Sequence, residues 1–276
     1  MGMMIAVLSL LLGMGIFLFI PYSPSVSRFH RICAEKISML EKTTALFSED
    51  DIAGLPLPVQ NYFRYCGYLG TPKMTYMKAW LKNVDFVMSE NKTLKIDYQQ
   101  LNLAARPERL ALITSSLLGI PFEGLDSYEG GKGHMKGILA KVIPLFDQGG
   151  ESMDRSSLVT WLAECLLLPS AALQDFVSWE AIDDTHAAAT VTWQGMSVSG
   201  IFTFSAKGEL LAFRTSDRVA VDMKGEETIA DWSAFFLDYH LVNQLRQPQV
   251  IQSLWHYEQG DSVYFNENRS PFCIQY

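Results

Sequence analysis

The chain has 276 residues, 49% hydrophobic and 19% charged, which supplies ample core and excludes a disordered chain. Its formal net charge is −8 with no compensating run of Lys or Arg, which argues against nucleic-acid binding, because an acidic surface repels phosphate. The four cysteines, Cys33, Cys66, Cys165 and Cys273, form no C-x-x-C pair and lie too far apart for a small disulfide framework. They read as small buried hydrophobes, with one long-range pair such as Cys66 to Cys273 left open outside the cytosol.

Residues 2–20, GMMIAVLSLLLGMGIFLFI, contain no charge, and the first charged side chain is Arg28. As a helix this segment would extend about 28 Å, close to the hydrocarbon thickness of about 30 Å. A single-pass transmembrane anchor over 1–21 is the expectation, stopped at Pro21. The run is longer than a signal-peptide core and lacks a basic start. Ser25-Val26-Ser27 nevertheless keeps cleavage open as an alternative. Arg28, Arg31 and Lys36 follow the span, but too little chain precedes it to set the side of the membrane on which the domain lies.

Residues 22–54 read as a juxtamembrane amphipathic helix and linker. Phe29, Cys33, Ile37, Leu40, Thr44 and Phe47 recur at helical spacing, so a helix is expected over 28–47, packed on the domain or on lipid. A short helix is expected at 58–66, with Pro58 in its first turn and Gly67 stopping it.

From about residue 73 the period changes to two. Residues 80–89, 94–98, 187–193 and 196–204 alternate apolar and polar positions, the pattern of half-buried antiparallel strands. Glu90-Asn91, Gly130-Gly131, Gly149-Gly150, Asp183-Asp184, Gly195, Lys207-Gly208 and Gly260-Asp261 supply turns. One helix interrupts the strands over 153–168, with Ser152 as N-cap, Trp161, Leu162 and Cys165 on its apolar stripe, and Pro169 ending it. The expected fold class is α+β. It is a curved antiparallel meander sheet of about ten strands on a central helix, forming one domain over 55–276 behind the transmembrane helix.

Chemistry is sparse. Gly130-Gly131-Lys132-Gly133 lacks the spacing and the strand-to-helix setting of a phosphate loop and reads as a hairpin turn. Gly195-Met196-Ser197-Val198-Ser199 lacks the second glycine of a nucleophile elbow. The five histidines show no metal-ligand spacing, so no metal and no cofactor is expected. Glu164 lies off the apolar stripe of its helix and reads as a solvated or hydrogen-bonded structural group. If a catalytic site formed only in the fold, Glu164, Asp154, Arg155 and Glu180 would be its candidates. Aromatic residues concentrate in the second half and either fill the core or line an apolar cavity. On the cavity reading, Trp161, Glu164, Trp179, Trp193, Trp232, Tyr239, Trp255 and Tyr257 are the candidate ligand-binding residues.

Several segments together resemble a family of uncharacterised bacterial proteins, often membrane-anchored. They are Leu55-Pro56-Leu57-Pro58-Val59-Gln60-Asn61-Tyr62 with Gly67, then Tyr128-Glu129-Gly130-Gly131-Lys132-Gly133-His134-Met135 and Met153-Asp154-Arg155. Trp161-Leu162-Ala163-Glu164, Leu168-Pro169-Ser170-Ala171, Trp179-Glu180, Asp183-Asp184, Trp255 and Gly260 continue the likeness, which covers roughly 55–276. The resemblance implies one contiguous domain and supplies no catalytic residues. The expected function is a non-catalytic module at the cell membrane, tethered by residues 2–20, for a lipid or another hydrophobic ligand. The alternatives are a structural subunit of a membrane complex, with an unidentified protein partner, and an enzyme.

Overall fold

Alternation at a period of two dominates the architecture. The computed structural model describes residues 2–41, 43–89, 92–221 and 225–276. Four helices come first: α1 (Gly2–Phe19), α2 (Pro24–Ser38), α3 (Glu49–Ile52) and α4 (Leu57–Cys66). Six strands follow: β1 (Tyr76–Ser89), β2 (Lys92–Leu103), β3 (Glu108–Leu117), β4 (Ile120–Glu129), β5 (Lys132–Leu139) and β6 (Ile143–Gly149). Then come α5 (Glu151–Glu164) and α6 (Pro169–Ala172). After them run β7 (Val177–Ala181), β8 (His186–Trp193), β9 (Met196–Phe204), β10 (Leu210–Thr215) and β11 (Val219–Val221). The last strands are β12 (Glu227–Ile229), β13 (Asp231–Val242), β14 (Leu245–Tyr257), β15 (Gly260–Phe265) and β16 (Phe272–Gln275).

Fourteen strands make one antiparallel sheet, in the order β6-β5-β4-β3-β2-β1-β15-β14-β13-β10-β9-β8-β7, with β16 also on β1. β11 and β12 form a separate pair. The fold is thus a mostly antiparallel sheet of many strands with a few helices. The expected ten strands undercount it, because β3 to β6 lack clean alternation. The sheet curls so that α5 touches β4, β5 and β6 of one wing and β8 and β9 of the other. A helix gripped from both sides is buried nearly all round, and Asp154, Ser156, Ser157, Leu158, Trp161 and Leu162 are all inside. Its N-cap is Gly150, not Ser152, and the helix begins at Glu151.

α4 forms as its sequence requires: Val59, Tyr62, Phe63 and Cys66 face inward, and Gly67 closes the helix at φ 80°. α2 runs over 24–38 rather than 28–47. Pro24 occupies its first turn, and the chain beyond extends to bridge Leu46 with Pro72. α2 covers the outer face of the sheet, where Phe29 and Cys33 pack on Leu101, Leu103, Leu110 and Leu112. Lys36 reaches Glu108 at 2.6 Å and Glu129 at 2.7 Å, pinning the far end of α2. The cysteines are unpaired: Cys33, Cys66 and Cys165 are buried and Cys273 is exposed, so no bridge joins Cys66 to Cys273. The expected turn at Glu90-Asn91 lies outside the described residues.

α1 carries outward apolar side chains, among them Met3, Ile5, Leu8, Leu12, Ile16 and Phe19. Its 18 residues extend about 27 Å. Among the described residues, no helix is long and apolar enough to cross a membrane. The end of α1 meets the domain at the β5–β6 turn. There the buried Lys141 Nζ donates to the carbonyls of Phe17 (2.9 Å), Ile20 (2.7 Å) and Tyr22 (3.0 Å).

Candidate functional site

Two polar constellations flank α5, one at each end. At its N-terminus, the β4–β5 turn is built by Gly130 and Gly131, both at positive φ (57° and 83°), where a side chain is strained. Gly131 also lies against Gln194 of the opposite wing, so a Cβ there would come within 2.8 Å of that side chain. A Cβ on Gly133 would stand 2.3 Å from the Met153 carbonyl oxygen. The glycine run is therefore a hairpin seated on the helix and on the other wing. Asp154 Oδ1 accepts the Gly133 N–H at 2.7 Å, and Asp154 Oδ2 meets Lys132 Nζ at 2.8 Å. Arg155 donates to the Ser197 carbonyl at 3.2 Å. A cleft of about 500 Å³ opens here, lined by Lys132, His134, Glu151, Asp154, Gln194 and Met196 among others.

At the C-terminal end of α5, strands β2, β3 and β4 aim polar side chains at the helix. Arg109 is 4% exposed and meets Asp126 at 2.6 Å and Glu164 at 3.5 Å, and it donates to the Tyr98 hydroxyl. Gln100 and Asn102 donate to Glu164 Oε2 at 3.0 and 2.7 Å. Glu164 is thus a hydrogen-bonded, partly buried group, its carboxylate turned to a sheet arginine that helix geometry alone does not reveal. Burial works against the Arg109 charge, but Tyr98, Asp126 and Glu164 hold its proton more firmly than usual. Burial pushes the nearby Tyr128 phenol up to about 12.

The aromatic candidates do not gather round one space. Trp161 donates its Nε1–H to the Leu103 carbonyl and packs on Phe176, which also meets Trp193. Trp179 donates to the Ala172 carbonyl and leans on Phe202. Trp232 and Trp255 lie under the Arg218 guanidinium at 4.4 and 5.6 Å, and Trp255 stacks on Tyr257 and Tyr264. Tyr239 donates to the Leu210 carbonyl beside Tyr65. Trp161, Trp232 and Trp255 are buried in the core, Trp179, Trp193, Tyr239 and Tyr257 are partly buried against it, and none of the eight candidate residues borders the 500 Å³ cleft. Sequence reasoning missed Arg109, Tyr98, Gln100, Asn102 and Asp126. Their signal was weak: polar residues at the inward positions of strands whose other face is apolar.

The candidate catalytic groups are also dispersed. Asp154 and Arg155 serve the N-terminal end of α5, Glu164 serves the other end, and Glu180 is exposed on β7. Among the described residues, no group of three His, Cys, Asp or Glu side chains is placed to hold a metal ion.

A family model matches residues 45–267. The chain belongs to the family of unknown function DUF6544. The glycine hairpin and the start of α5, the segments that carry most of the resemblance, fall inside the match and meet in the fold through Gly133 and Asp154. No curated protein matches the chain. Among solved structures, it is similar to the LolA superfamily protein NE2245 from Nitrosomonas europaea. The identity is 10% and the TM-score 0.40, over 79% of this chain and 91% of that one. No ligand or activity is carried over from that likeness.

Proposed function

We propose that the protein is a non-catalytic module anchored at a lipid bilayer by α1, with bilayer lipid as the hydrophobic matter it binds. The observation that carries this reading is α1 itself: 18 residues without a charge, apolar side chains directed outward, and a C-terminus clamped by a lysine of the domain. Exposed apolar surface of that extent is costly in water and favourable in hydrocarbon. Anchoring of this kind needs the apolar side chains of α1 to be buried in the hydrocarbon layer and does not need the helix to cross it. The packed aromatic interior favours lipid at the surface of the domain over lipid in a central cavity.

The test is fractionation of the full-length chain expressed in bacteria. Under this reading it stays in the membrane pellet through an alkaline carbonate wash and partitions into the detergent phase. Release into the aqueous phase with residues 2–20 still attached would refute it.

A further inference from the structure

The β3–β4 and β5–β6 hairpin tips are neighbours, joined by the Ala140 N–H bonded to the Pro121 carbonyl at 2.8 Å. Both are apolar. Leu118 is 102% exposed, and Val142, Ile143 and Leu145 are also out in the open. Across 115–122 and 137–146, the sequences SSLLGIPF and GILAKVIPLF contain one ionisable side chain, Lys141. That lysine does not solvate its turn. The residue is 6% exposed, its ammonium folded back onto one carbonyl in the last turn of α1 and two just beyond it. Hairpin tips in water normally carry Asn, Asp, Gly and charged residues. Here leucine, isoleucine and valine take the outermost positions, and the only cation is withdrawn.

We infer that these two hairpin tips are a second bilayer contact, inserting Leu118, Val142 and Ile143 among the lipid chains beside the end of α1. The inference rests on the anchoring reading and adds to it where the domain touches lipid. Lipid is favoured as occupant because Lys141 ties this apolar tip to the end of the helix proposed as anchor. A tip held there lies beside the end of the helix that the anchoring reading buries in lipid. The opposite end of the same strands is polar. It holds the Lys36 pairs with Glu108 and Glu129 and the cleft lined by Lys132, His134 and Glu151. One end of the domain is thus suited to lipid and the other to water.

The experiment uses the full chain with Cys273→Ser, so that the remaining native thiols are buried. An environment-sensitive fluorophore is placed singly at Leu118→Cys, Val142→Cys, Ile16→Cys in α1, or Gln194→Cys at the opposite end. Each variant is reconstituted in phosphatidylcholine vesicles with or without brominated acyl chains. Leu118 packs on nothing, so its replacement leaves folding intact. The expected result is a blue shift and loss of emission on brominated lipid at 16, 118 and 142, with neither at 194. Quenching at 16 alone overturns this inference and leaves α1 as an anchor. No quenching at any position overturns both readings. A blue shift at 118 or 142 without bromine quenching overturns it in favour of a protein contact, such as a second copy. Quenching at 194 as well refutes the proposed orientation.

Discussion

Replacing Gly133 with alanine separates a structural glycine run from a ligand loop. The new Cβ would lie 2.3 Å from the Met153 carbonyl oxygen, 2.6 Å from its carbon and 2.6 Å from Ser157 Oγ. Two of those atoms are backbone of α5, which the wings of the sheet hold from both sides, so the strand itself must move. Overpacking of this kind costs about 1–3 kcal/mol, and rigid backbone on the far side places it at the upper end. Moving the strand also strains the Gly133 N–H bond to Asp154, adding about 1 kcal/mol. Gly195→Ala is the control. Its φ of +81° is strained for alanine, but nothing lies within 4 Å, so only a backbone cost of about 1–2 kcal/mol applies. The assay is urea unfolding of the full-length chain in detergent, followed by tryptophan fluorescence. With a slope near 3 kcal/mol per molar, Gly133→Ala should lower the midpoint by about 1 M and Gly195→Ala by about half that or less. A Gly133→Ala midpoint at or above that of Gly195→Ala would refute the close approach and the reading of the motif built on it.

The buried ion cluster gives a second prediction. Arg109→Met leaves Glu164 and Asp126 without their cation and should destabilise the domain by about 3 kcal/mol. Arg64→Ala, which removes an exposed pair with Glu49, should cost less than about 1 kcal/mol in the same urea assay. Equal effects would contradict the assignment. Thiol reactivity gives a third. Burial pushes the Cys33 thiol up to about 11 and raises Cys66 and Cys165 further, so native protein should show one maleimide-reactive thiol, Cys273, and four once unfolded. A fourth concerns pH. The Thr185 N–H, followed by the His186 ring, lowers the Asp183 carboxyl to about 2. A depressed carboxyl contributes stability above its unfolded value of about 3.9, and that contribution is lost as pH falls through about 2. A carboxyl titration by carbon NMR placing Asp183 at an ordinary aspartate value would contradict the turn geometry.

The half-buried strands were the most legible part of the molecule. Residues 80–89, 94–98, 187–193 and 196–204 all fall within observed strands, because one face meets the core and the other meets water. Gly67 and Pro58 marked α4 for equally local reasons. β3 was illegible because both its faces are covered, one by α2 and one by α5. Residues 108–113 are all buried, so the apolar-polar alternation disappears. Arg109 occupies an inward position there only because Glu164 and Asp126 await it, and no local pattern announces a partner 55 residues away on another element. The same limit left Glu164 open between solvated and hydrogen-bonded, and the structure selects the second: projection of one helix separates its apolar stripe from the rest, but α5 is buried on nearly every side. The aromatic density was plain in the sequence. Whether it encloses space or fills it depends on side-chain packing across strands far apart in the chain.

The link between α1 and the domain can be cut without disturbing the core, and Lys141→Met is the cut. All three ammonium hydrogens are used, on the carbonyls of Phe17, Ile20 and Tyr22. Phe17 lies in the last turn of α1, where carbonyls lack a partner within the helix and the C-terminus carries partial negative charge, and Ile20 and Tyr22 follow just beyond it. Methionine keeps the stem volume and removes only the donors and the charge. A cation at a partly buried helix C-terminus contributes up to about 2 kcal/mol, which corresponds to about a 30-fold change in the opening equilibrium of the last turn. The readout is hydrogen exchange in lipid vesicles at Ile20, whose amide bonds to the Ile16 carbonyl at 3.0 Å. Exchange there should quicken toward that limit, while amides in the β13–β14 ladder stay unchanged. Unchanged exchange at Ile20 would mean that the ammonium holds nothing. The hairpin tips would then lose the tie that sets them beside α1, and exposed leucine and valine alone would be too little to place them against lipid.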